Sequence, residues 1–339
     1  MPRTKLLRDW LDQHFSQHHP DATYTLEPAS ADASFRRYFR VILPDGSTQI
    51  VMDAPPEHED CRPFLKVARL FHEAGVHVPE VYAEDLNLGF LLLSDLGHTT
   101  YLNVLDQSTA PTLYHHANAA LVDLQRATRP GVLPEYDREL LSRELNLFPD
   151  WYIARHLGLT LDARQEKALR EVFEKILANN LAQPQVYVHR DYHSRNLMVS
   201  GDDYPANPGI LDFQDAVYGP ITYDLVSLYR DAYIQWEEEQ ELDFVIRYWE
   251  MARQAGLAVH ADFHDFYRDY EWMGAQRQIK VLGIFARLYH RDGKDCYLKD
   301  MPRVMSYLRK TCERYVELRP LARLLDQLES KPAEVAYTF

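Results

Sequence analysis

Residues able to move a proton or bind a hard cation crowd into one stretch, Val186 to Ala216, which reads VYVHRDYHSRNLMVSGDDYPANPGILDFQDA. His189, Asp191, Asn196, Asp212 and Asp215 stand where apolar runs such as Val186-Tyr187-Val188 and Gly209-Ile210-Leu211 give out. Strand ends and loops can hold such groups near solvent or a ligand, whereas an unpaired carboxylate inside a core is costly. His189-Arg190-Asp191 followed by Asn196 has the spacing H-x-D-x-x-x-x-N, and a short strand then leads to Asp212-Phe213-Gln214-Asp215. In that order Asp191 is suited to accept or orient a hydroxyl proton. The Asn196 amide oxygen and the Asp212 carboxylate are hard donors of the kind Mg²⁺ takes when it bridges phosphates. The chemistry these residues point to is phosphoryl transfer to a hydroxyl.

The same loop admits a second chemistry. His189, Asp191 and His193 could ligate the metal of a hydrolase, but the flanking strands predict a loop rather than the helix an i, i+4 histidine pair favours. No third histidine stands on a nearby strand end.

Elements must position these groups. Residues 4–18 put Leu7, Trp10, Leu11 and Phe15 at helical spacing, and the histidines His14, His18 and His19 read as a solvated helix end rather than a metal site. Small residues from Ala29 lead into an aromatic–aliphatic strand through Leu43. A Pro44-Asp45-Gly46-Ser47 turn and a second strand, 49–52, follow. A helix over 63–74 precedes two strands, 79–82 and 89–93, and then Ser94-Asp95-Leu96-Gly97. Beyond residue 98 the pattern is helical: 110–127, Arg138 to Pro149, 161–182, Asp224–Trp236, 239–256, 261–290 and 299–327, with 217–220 read as a turn. His115 and His116 fall on different helical faces and read as structural. His189 and Asp224 are read as support, Asp224 because a carboxylate at a helix start can take free N–H groups. Arg287, Tyr289, Arg291 and Lys294 read as a solvated helix end.

HRDYHSRNLMV followed by ILDFQDA resembles the aminoglycoside-phosphotransferase branch of the kinase-like superfamily. DFQDAVYGPITYDLVSLYRDAY resembles the bacterial kinases of cell-wall recycling that phosphorylate the anomeric hydroxyl of N-acetylmuramate or N-acetylglucosamine. The likeness runs from about Ser30 to Arg303. It implies an α+β, two-lobed protein-kinase-like fold, with a small antiparallel-sheet N-lobe over 1–97 and a larger, mostly helical C-lobe over 98–339. It implies ATP and Mg²⁺ as cofactors, an amino sugar as acceptor, and a cytoplasmic monomer. Ser34, Phe35, Arg36 and Arg37 would cover the nucleotide, and backbone near Asp95 and Leu96 would meet the adenine edge. His193, Arg195, Asp215, Asp231 and Tyr233 would line the acceptor side. One position departs from the pattern: Met52 stands where the family carries a phosphate-binding lysine. Either Arg36 or Arg37 could replace that charge, but strand alternation allows only one to face the nucleotide, and both could simply be surface arginines. The departure also leaves room for a nucleotide-binding pseudokinase, against which the full set Asp191, Asn196 and Asp212 counts. Aminoglycosides, choline-like alcohols and homoserine remain alternative acceptors.

Composition narrows the partners. With 37 Lys and Arg against 51 Asp and Glu the net charge is −14, the wrong sign for a nucleic-acid face. Cys61, Cys296 and Cys312 are odd in number and lack metal-ligand spacing, which fits a reducing compartment. No apolar run reaches the roughly 18 residues of a membrane span, and the N-terminus has no secretory pattern.

Overall fold

The computed structural model describes residues 3–18, 23–31, 35–201 and 206–329. In chain order the elements are α1 (Arg3–His18), β1 (Thr25–Ala31), β2 (Arg37–Ile42), β3 (Thr48–Asp53), α2 (Arg62–Glu73), β4 (Val81–Asp85), β5 (Phe90–Ser94), α3 (Tyr101–Val104), α4 (Ala110–Arg126) and α5 (Arg138–Leu147). A π-helical segment, Phe148–His156, precedes α6 (Ala163–Leu181), β6 (Gln185–Val188), β7 (Leu197–Met198), β8 (Gly209–Ile210), β9 (Val217–Pro220), α7 (Tyr223–Tyr229), α8 (Glu238–Gln254), α9 (Phe263–Asp292), α10 (Met301–Arg314) and α11 (Arg319–Glu329). They form two compact units, Met1–Thr100 with Leu197–Asp215, and Tyr101–Asn196 with Ala216–Phe339. The first therefore runs slightly past the boundary read at residue 98 and takes in a later segment as well. No described helix is long and apolar enough to cross a membrane.

The first unit is built on a five-stranded antiparallel sheet in the order β1-β2-β3-β5-β4. Period-two alternation sends Val41, Val51, Phe90 and Leu92 to one face, where Leu7, Leu11 and Phe15 of α1 cover them. Burying each such side chain contributes about 1.5–3 kcal/mol. Phe90 through Leu93 are all buried, so the opposite face is covered too. The small-residue stretch read as a lead-in is partly a strand: β1 lies at the sheet edge, which tolerates Pro28 and the irregularity beside it.

Most of the second unit packs around α9, 30 residues long and buried on nearly every side. It packs against α10, the π segment, α5, α7 and α6. Gly283 permits the closest of these approaches, since a Cβ there would lie 2.5 Å from the Leu147 backbone.

Four local readings differ from the structure. Val217–Pro220 is a strand paired with β6, not a turn; Gly219 is there because a Cβ would meet Tyr136 at 2.7 Å. The α-helix ends at Leu147, two residues before Pro149, but the chain stays helical beyond it in the π segment, which carries Pro149 in its first turn. The helix expected to run to Trp236 stops at Tyr229, and Asp231 takes the N–H of Tyr233 with its own side chain. The closing segment is two helices, broken at extended Tyr315 and restarted through a 3₁₀ turn, Val316–Leu318.

Candidate active site

In the second unit β6 ends at Val188, and the loop behind it is pinned from several sides. Asp224, in the first turn of α7 and fully buried, accepts the backbone N–H of His189 at 2.6 Å and of Arg190 at 2.9 Å. Arg190 has φ 78°, a left-handed conformation uncommon for a side-chain-bearing residue, and this double bond holds it there. The Arg190 guanidinium reaches Glu144 of α5 at 2.6 Å, and Lys280 of α9 joins the same carboxylate at 2.9 Å. Lys280 also donates to the Tyr223 hydroxyl. Further along, Ser194 gives both its N–H and its hydroxyl to buried Asp231.

This frame presents Asp191. Its N–H points to His189 Nδ1 at 3.2 Å, and its carbonyl accepts from the His193 N–H and from Asn196 Nδ2, both at 3.0 Å. The second of these orients the Asn196 amide, using its nitrogen and turning Oδ1, the atom a hard cation prefers, the other way. Burial works to raise the Asp191 pKa, but Lys280, His193, Arg277 and Arg190 outweigh it and hold the carboxyl below its usual range. Asp224 goes the other way. Burial, aided by the charge of Asp191, overrides its two N–H bonds and pushes it up to about 7. Burial lowers the His193 pKa, partly opposed by Asp231 and Asp191.

His193, Arg195, Asp231 and Tyr233 come together in this unit. Arg195 lies over the Tyr233 ring at 4.2 Å, the His193 ring meets the same tyrosine edge-on at 5.6 Å, and Asp231 ties Ser194 to Tyr233.

Asp212 belongs to the first unit. It too is left-handed, at φ 62°, and exposed, with Oδ1 accepting from Gln214 at 2.9 Å. Phe213 is its anchor, fully buried against Phe64 and Phe71 of α2. Asp215 is exposed at the end of the same segment. A cavity of about 430 Å³ is lined by residues including His77, Tyr82, Asp95, Leu96, Gly97 and Ser200. Asp95 is held by Arg40, and the Leu96 carbonyl accepts from Ser200.

The two arginines part company. Arg37 pairs with fully buried Asp53, its cross-strand partner, and Arg3 of α1 bonds the same carboxylate at 2.6 Å. Arg36, one residue earlier, continues the alternation onto the side of Tyr38 and Met52. Burial disfavours its charge, but Tyr38, Glu59 and Asp212 more than offset that. Met52 itself is buried. Phe35 is exposed and stacks on His58 at 4.5 Å. Ser34 lies outside the described residues.

Sequence reasoning missed Glu144, Arg277 and Lys280. Each is one charge in a helix, at least 45 residues from the loop it serves, and nothing in its own neighbourhood marks it.

Residues 25–265 match the model of the phosphotransferase enzyme family, the family known by the abbreviation APH. The chain belongs to that family. More narrowly, it is 50% identical to the N-acetylmuramate/N-acetylglucosamine kinase of Neisseria meningitidis over the whole of both chains. It is 52% identical to the enzyme of that name in Pseudomonas aeruginosa, over 89% of this chain and 88% of that one. The fold is shared with a choline/ethanolamine kinase family protein from Mesorhizobium loti (TM-score 0.62, 16% identity, 94% of this chain and 99% of that one). A choline kinase from Streptococcus pneumoniae shares it as well (0.58, 13%, 90% and 99%).

Proposed function

We propose that this protein is an ATP-dependent kinase that phosphorylates the anomeric hydroxyl of N-acetylmuramate and N-acetylglucosamine. The observation that carries the reading is Asp191: an ionised carboxylate at a strand end, in a loop fixed by Asp224 and ringed by cations. Relatives that match from end to end supply the acceptor.

A hemiacetal hydroxyl is more acidic than an ordinary alcohol, so Asp191 need only position it and accept its proton late, as suits a loose transition state. A carboxylate held below its usual range is a weak base and a good acceptor, which fits that role. Asn196 and Asp212 would hold Mg²⁺, which supplies charge neutralisation at the phosphates when bound. Each donor by itself suits a hard cation: one is an amide oxygen turned by its own hydrogen bond, the other an exposed carboxylate anchored by Phe213. Arg36, not Arg37, takes the charge that the missing lysine would bring: Arg37 is committed to fully buried Asp53, whereas Arg36 pairs with Glu59 at 3.3 Å and also feels the charge of Asp212. The 430 Å³ cavity would take the adenine. With ATP as donor, the compartment proposed is the cytoplasm.

The test is phosphorus NMR of the product formed from each sugar with Mg-ATP. A glycosyl 1-phosphate couples to the single anomeric proton, and a 6-phosphate couples to two. A product showing the second pattern, or no product with either sugar, refutes the reading.

A further inference from the structure

Among the described residues one buried cation of α9 has no hydrogen-bond or ion-pair partner. Arg277 is only 5% exposed, yet among the described residues it makes neither a hydrogen bond nor an ion pair. Its neighbours on the helix are matched. Lys280, one turn on, is bonded to Glu144 and Tyr223. Glu271, nearly two turns back, holds Arg230, which also pairs with Glu241. None of the Arg277 nitrogens is among the side-chain atoms that are both fully buried and unbonded, so the sunken guanidinium still reaches solvent, where a bound molecule can pair it.

What Arg277 faces narrows the choice. Its charge acts on Asp191, His193 and Asp224, the groups of the catalytic loop and its support. Asp224 is already bonded to two backbone N–H groups. Nδ1 of His193 is also buried without a partner, in the ring that packs on Tyr233. An unmatched planar fork of donors and an unmatched ring nitrogen thus both belong to the surroundings of Asp191. A fork of that shape suits a carboxylate bound through two parallel hydrogen bonds.

We infer that Arg277 is the seat for the carboxylate of an acidic acceptor sugar and sets the preference between acidic and neutral substrates. This rests on the acceptor reading above. N-acetylmuramate carries a lactyl carboxylate and N-acetylglucosamine does not, so the two sugars differ in the group Arg277 would hold.

The experiment is kcat/KM of Arg277→Gln for the two sugars, with its melting temperature measured alongside. The expected result is a loss of about tenfold or more on N-acetylmuramate, the lower range for a hydrogen bond to a charged group. N-acetylglucosamine should share only the loss that follows from withdrawing a charge from Asp191, so the ratio of kcat/KM between the two sugars should fall by about tenfold, and melting should not fall, since no internal pair is broken. Equal losses on both sugars overturn the inference and assign Arg277 to the phosphoryl group or to Asp191. No loss on either overturns it as well. A selective loss in Arg195→Gln instead would move the seat to that exposed arginine. If the glutamine variant does not fold, Arg277→Lys carries the test: it keeps the charge, forfeits the planar fork, and must show the same selective loss. Wild-type protein that phosphorylates neither sugar defeats the functional reading itself, a result distinct from equal losses in the variant.

Discussion

The loop carrying Asp191 and the segment carrying Asp212 each present a carboxylate at a left-handed position, Arg190 just before Asp191 and Asp212 itself, but they are held by different forces. Around Asp191 the hold is electrostatic and redundant: Asp224 takes two N–H groups, Glu144 takes two cations, and Asp231 takes Ser194. Around Asp212 it is apolar and nearly single, one phenylalanine sunk between two others. A redundant polar frame fixes orientation tightly, as a proton acceptor needs. At Asp212 the apolar anchor sets the backbone while the exposed carboxylate, bonded to Gln214, stays open to solvent, as suits a ligand for a hard cation.

The largest effect should come from breaking the redundant side at its centre. Asp191→Asn is expected to lower turnover by about a thousandfold, within the range for removing a positioned acid or base. Nucleotide affinity should stay within a few-fold, measured by calorimetry. Turnover within tenfold of wild type would take Asp191 out of the mechanism.

Next come the arginines, which sharpen the contrast inside the first unit. Arg36→Ala should cost about 1.5–3 kcal/mol of nucleotide or transition-state binding. Arg37→Ala should leave that binding nearly unchanged and lower the melting temperature instead, because buried Asp53 loses a partner. Identical behaviour of the two would sink the assignment.

A smaller catalytic effect than that of Arg36→Ala is expected at the support. Asp224→Asn keeps the shape and an acceptor oxygen, so activity should stay within about tenfold. Its signature is in pH. The folded pKa of Asp224, about 7, lies above the ordinary 3.8, so the folded state binds this proton more tightly than the unfolded chain. That contribution is full below pH about 4 and is lost as pH rises through about 7. The melting-temperature advantage of wild type over the variant should therefore shrink across that interval. A difference independent of pH would mean that Asp224 is ionised throughout.

Legibility in the sequence followed the range of the interactions. Asp191, Asn196 and Asp212 could be found because their roles depend on spacing within one short stretch, and the helices around them follow from apolar periodicity. The sheet was legible except for β1, whose proline and small residues carry no alternation and are tolerated only because the strand lies at an edge. Arg36 and Arg37 could be narrowed to one of two but not resolved, since the deciding fact is the cross-strand register of Arg37 with Asp53. Arg277, Lys280 and Glu144 were invisible because nothing near them in the chain announces a partner so far away. Val217–Pro220 was misread because glycine and proline signal a turn locally, while here they serve a close packing contact and a strand end.

The order of synthesis gives the return of residues 197–215 to the first unit a temporal meaning. The ribosome delivers all five strands of the main sheet by Ser94, but β7 and β8 arrive roughly a hundred residues later, after α4, α5 and α6. β6, emerging before them, must wait for β9 on their far side to form its ladder. Neither unit can be finished while the other is wholly absent, so the nascent chain holds a partly built sheet in waiting. Contacts this distant in sequence slow folding and prolong the exposure of apolar surface. A fragment cut at residue 100 would leave the ribosome with its sheet complete and its Asp212 never made.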